Sequence, residues 1–130
     1  MQKMYQDTKI NYNQKEDVIV RIDKLIYEQK IQIKKQKYVI EKYHKDIINC
    51  KKLLTKNSMK YKKTYKSYFY FKFNDIHKLE EYRENLILER MMLGRKINNN
   101  YEKLNECNYN LSLMINNLLY NEILYDKINK

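Results

Sequence analysis

The sequence predicts an all-α protein: an antiparallel three-helix bundle, rod-like, with an elongated hairpin between its first two helices. Three observations predict it. The 130 residues include one glycine and no proline, and those are the residues that build the turns of strands and hairpins. Charged residues make up 33 % and hydrophobic residues 43 %, much of the latter tyrosine. That balance suits long helices with narrow apolar seams better than a thick core. Apolar residues also recur at alternating steps of four and three, the rhythm of helices packed lengthwise.

The first helix is expected over about residues 7–55, with Asp7 or Thr8 as its cap. Its seam runs Ile22, Ile26, Gln29, Ile33, Gln36, Ile40, Tyr43, Ile47, Cys50, Leu54. The two glutamines weaken the seam but can fix its register. Thr55-Lys56-Asn57-Ser58 reads as a turn, because Asn tolerates the left-handed conformation and Ser58 is a good N-cap. The second helix is expected over about 59–107. Its seam includes Tyr61, Tyr65, Tyr68, Ile76, Leu79, Leu86, Leu93, Ile97 and Leu104, with Arg83, Arg90 and Asn100 in the gaps. A polar break at Asn108-Tyr109-Asn110, with Ser112 as cap, precedes a third helix over about 112–128, carrying Met114, Ile115, Leu118, Leu119, Tyr125 and Ile128. The chain reads as one domain, residues 1–130, with 41–74 as a protruding basic arm. Ile22, Ile26, Leu86, Leu93 and Leu118 are the expected core.

The net charge of +11 is unevenly placed. Residues 30–72 hold fourteen lysines against two acids, Glu41 and Asp46, a local charge of +12. The rest of the chain holds thirteen basic and fourteen acidic residues, a charge of −1. AT-rich coding raises lysine, asparagine, isoleucine and tyrosine together, but it does not remove acids from one window. Such a window favours an acidic partner. Inside it lies YKKTYKSYFYFKF, residues 61–73. On a helix, Tyr61, Tyr65, Tyr68 and Phe69 would pack against helix 1 with their polar edges wet. As a strand, Phe69, Phe71 and Phe73 would alternate with Tyr68, Tyr70 and Lys72, but no partner strand is evident. Nucleic acid is not the expected partner: a single-strand platform needs aromatics over a cationic groove, and no recognised RNA-binding motif is present.

No run of 18 apolar residues exists, so no membrane span is expected. The N-terminus lacks an apolar signal region, and two cysteines, Cys50 and Cys107, make no disulfide framework. A reduced cytoplasmic setting follows. The chain shows no phosphate loop, nucleophile elbow or His-Glu-x-x-His, so neither catalysis nor a cofactor is expected. A turn near residue 57 would set His44 opposite residue 70 and His77 opposite residue 37, too far apart for a shared metal ion. The methionine pair Met91-Met92 reads as core filling.

DKLIYEQK at 23–30, NDIHK at 74–78, LERMML at 88–93, Tyr101 with Leu104, and Tyr120 with Glu122 occur in an order that resembles the tubulin-binding cofactor A family. That resemblance implies a three-helix bundle that binds β-tubulin during its folding and heterodimer assembly, as a cytoplasmic, cytoskeleton-associated monomer or homodimer. Two departures stand out. Gly94 stands near the place of a family proline that kinks helix 2, and residues 41–74 form an insertion of which the family says nothing. The residues expected to meet the partner are Tyr27 and Glu28 of the first motif, Arg90 of the third, and Lys51, Lys52, Lys60, Lys62 and Lys63 of the basic window. The other readings are a structural coiled-coil subunit of a larger assembly and, behind it, a basic nucleic-acid-binding helical protein.

Overall fold

The computed structural model describes residues 2–67 and 73–130, with side chains from 14 to 65 and from 76 to 130. Among these residues the fold is all-helical and consists of two helices, α1 (Gln2–Ser67) and α2 (Phe73–Asn129). The chain divides into two compact units: a terminal unit of Met1–Val39 with Cys107–Lys130, and a central unit of Ile40–Glu106.

In the central unit the α1 seam is Ile47, Cys50, Asn57 and Thr64, all buried, with Tyr43, Leu54 and Tyr61 half-buried between them. Facing them on α2 are Leu79, Leu86, Ile97, Asn100 and Leu104, also buried. The helices run antiparallel: Lys51 reaches Tyr101, Asn57 reaches Leu86 and Arg90, and Tyr61 reaches Arg83. In the terminal unit Ile22, Ile26 and Ile33 of α1 are buried. The α2 seam there, from Cys107 through Met114 and Leu118 to Ile128, is only half-buried. Its two glutamine layers are bridged. Gln36 Nε2 donates to the Cys107 carbonyl at 3.0 Å, and Asn121 Nδ2 donates to Gln29 Oε1 at 3.0 Å.

The expected turn at 55–58 is overturned. Those residues lie inside α1, and the side chains of Thr55 and Asn57 are bonded there. Thr55 Oγ1 donates to the Lys51 carbonyl one turn back, the local bond that lets a hydroxyl sit mid-helix. Asn57 is 1 % exposed and bonds across to α2. The two helices therefore meet later, and residues 59–67 belong to α1 rather than to a second helix. The His44 and His77 pairings that assumed the earlier turn fall with it. The strand alternative fails for 61–67, which are helical, and for Phe73, which opens α2; Tyr68, Phe69, Tyr70, Phe71 and Lys72 lie outside the described residues.

No break separates a third helix, because α2 continues through 108–112. Ser112 Oγ donates to the Asn108 carbonyl at 3.1 Å instead of capping. The first helix begins at Gln2, so neither Asp7 nor Thr8 caps it. Gly94 lies within α2 and introduces no break. Of the expected core, Ile22, Ile26 and Leu86 are buried, whereas Leu93 and Leu118 are half-buried. A two-helix contact has no third surface to cover their outer edges.

Candidate functional site

The central unit has one basic helix and one balanced helix. From residue 40 to 65, α1 carries eight lysines against Glu41 and Asp46. From 76 to 106, α2 carries six basic and six acidic residues. The seam fixes which way α1 turns its lysines. With Ile47, Cys50, Leu54, Asn57 and Tyr61 facing α2, the positions on the opposite side are 42, 45, 49, 52, 56, 59 and 63. They read Lys42, Lys45, Asn49, Lys52, Lys56, Met59, Lys63, and all seven are exposed. The result is a cationic ridge without an acid, about 32 Å long at 1.5 Å per residue. Charges this close reinforce one another toward an anionic surface, while water keeps the cost of holding them together small.

Below the ridge, the seam holds cations inside the hairpin. The Arg83 guanidinium lies 4.7 Å from the ring centres of both Tyr61 and Tyr65, and its Nη2 donates to the Tyr61 hydroxyl at 2.9 Å. Tyr61 and Tyr65 meet edge to face at 5.9 Å, the favoured aromatic geometry. Arg90 stacks on Tyr61 at 5.0 Å, and its Nε donates to Asn57 Oδ1 at 3.3 Å. A planar guanidinium stacks and bonds at once, which an ammonium cannot do.

The expected partner residues therefore separate. Lys52, Lys60 and Lys62 are exposed on or beside the ridge, and Lys63 lies on it. Lys51 is exposed but its Nζ donates to the Tyr101 hydroxyl at 2.6 Å. Its distance of 5.2 Å from the ring centre puts the ammonium beyond the hydroxyl edge, so this is a hydrogen bond and not a contact with the ring face. Arg90 is half-buried and engaged with Asn57 and Tyr61, so it serves the hairpin's own packing. Tyr27 and Glu28 are exposed in the terminal unit, where Tyr27 borders an open hollow with Val20, Asp23 and Lys24. Lys42, Lys45 and Lys56 are ridge residues that the sequence reading did not single out. Their signal was a second three–four rhythm, of lysines, on the outer side of the same helix.

Among the described residues, no group of three or more His, Cys, Asp or Glu side chains could hold a metal ion. Cys50 is buried in the seam and Cys107 is half-buried; both are free thiols. No helix among the described residues is long and apolar enough to cross a membrane. No protein-family model, no curated protein and no solved structure matches this chain.

Proposed function

We propose that the chain is a non-catalytic binding protein that captures an acidic protein along the lysine ridge of α1. The observation that carries this reading is the one-sided ridge Lys42, Lys45, Lys52, Lys56, Lys63 on a helix whose partner helix, α2, is charge-balanced from 76 to 106. A ridge of this kind raises the rate of encounter with an acidic surface more than it lengthens the life of the complex. The resemblance to tubulin-binding cofactor A names β-tubulin as the partner, with a role in its folding and heterodimer assembly. That family's three helices are not separate here. The residues expected to form its third helix make up the end of α2, so the β-tubulin assignment rests on sequence resemblance and charge.

The second reading, a structural coiled-coil subunit, is favoured by one observation. The α2 seam keeps its three–four rhythm from Ile76 to Ile128, as in proteins whose work is to hold a helix pair. Binding of the full chain to purified β-tubulin, beside a single-stranded RNA, at low and at physiological salt separates the readings. Salt-sensitive binding to β-tubulin supports the first. Binding to neither supports the second, and steep salt-dependent binding to RNA alone contradicts both.

A further inference from the structure

The terminal part of α2 has a second apolar seam, on the side away from α1. The residues that face α1 are Leu111, Met114, Leu118, Asn121 and Tyr125. Opposite them stand Tyr109, Leu113, Asn116, Tyr120 and Ile123, again at alternating steps of four and three. All five are exposed, Tyr109 and Tyr120 by about two thirds and Ile123 by more than half. Leu119, beside them, is half exposed. A solvated helix face is ordinarily charged. This one has no charged residue from Cys107 to Asn121, the longest uncharged stretch in the chain.

We propose that this face is a self-association surface, on which α2 of a second copy lies antiparallel. Two features argue for a second copy over an unrelated partner. The seam is complementary to itself under a two-fold axis, as an isologous contact requires. Setting Leu113 of one copy against Ile123 of the other sets Ile123 against Leu113, Asn116 against Tyr120 and Tyr109 against Lys127, in both halves alike. The chain also carries +11, so copies repel wherever lysines would meet. On this face they bury apolar and uncharged polar groups with no like-charge contact, and the one charge, Lys127, lies at each end of the contact against Tyr109, where its ammonium stays in water. From Tyr109 to Lys127 the contact is about 27 Å long. That is short for a two-helix interface and belongs at the small end of specific contacts, so the dimer is concentration-dependent.

Sedimentation equilibrium of the full chain tests this, on wild type and on two double variants, L113E with I123E and L113K with I123K. Wild type should shift from monomer to dimer with concentration. Each double variant should stay monomeric with unchanged helicity by circular dichroism, and mixing the two should restore a dimer because Glu then faces Lys. If either double variant loses helicity, Asn116→Lys takes its place and should be monomeric. The exposed control Ile48→Glu, in the central unit, should leave the dimer intact. A wild type that stays monomeric at its highest soluble concentration overturns the proposal, as does one that instead binds lipid vesicles or another protein through this face. A dimer that persists in both charged variants, or fails to return on mixing, also overturns it.

Discussion

Asn57 on α1 and Leu86 on α2 are joined across the hairpin: the Asn57 amide donates to the Leu86 carbonyl at 2.8 Å. The same side chain accepts from Arg90 Nε at 3.3 Å, and it is 1 % exposed. A buried amide satisfied on both its oxygen and its nitrogen fixes the register of a helix pair, because sliding either helix leaves it unpaired. Asn57→Ala should lower stability by about 1–3 kcal/mol, the usual loss when a buried polar partner is removed. Urea denaturation checks it. Asn57→Leu should recover part of the loss while loosening the pairing, seen as broadened amide resonances along the central unit. An Asn57→Ala variant as stable as wild type would remove the amide from its structural role.

Arg83 should matter through its shape as well as its charge. It touches both Tyr61 and Tyr65 and bonds to the Tyr61 hydroxyl. Arg83→Ala should cost about 1–2 kcal/mol, the scale of a partly desolvated cation–π contact. Arg83→Lys keeps the charge but not the planar fork, and should recover less than half of that. Full rescue by lysine would show that charge alone is needed.

Two leucines of α2 should differ. Leu86 is 5 % exposed and Leu93 is half-buried. Leu86→Ala should cost about 2–4 kcal/mol through lost burial and the cavity it leaves. Leu93→Ala should cost less than half as much, since water already reaches it. Equal losses in parallel urea titrations would contradict the packing described for α2.

Gly94 lies in a helix, and a Cβ built on it meets nothing within 4 Å. Glycine gives up more backbone freedom than alanine on entering a helix. Gly94→Ala should therefore raise stability by about 0.5–1 kcal/mol. A loss on thermal denaturation would mean that α2 needs to bend there.

The seams were legible in the sequence because they repeat. Every α1 position expected to face a partner from Ile22 to Leu54 is buried or half-buried, and both interrupting glutamines bond across to α2. The ends of the helices were not legible, for one physical reason. Asn, Ser and Thr satisfy free backbone groups at a helix end, yet they can also bond within a helix or across a seam. Asn57, Thr55 and Ser112 do the latter, and nothing local distinguishes the two uses. The misplaced turn then put Tyr61 and Tyr65 on the wrong helix. It also hid the lysine ridge, which becomes one continuous face only when α1 runs on through Lys63. Arg90, expected to meet a partner as part of the LERMML motif, instead bonds to Asn57 and stacks on Tyr61.

Whether the α1 ridge captures an acidic protein is decided by the association rate with β-tubulin as a function of salt. The comparison is wild type against a variant with Lys42, Lys45, Lys52 and Lys56 all changed to Gln. These side chains are exposed, so circular dichroism should show unchanged helicity. Electrostatic attraction between exposed groups fades as added salt shortens the screening length to about 8 Å at physiological strength. The wild-type rate should therefore rise steeply as salt is lowered, while the variant's rate stays low and nearly flat and dissociation changes little. Equal association rates for the two proteins at low salt would contradict the claim.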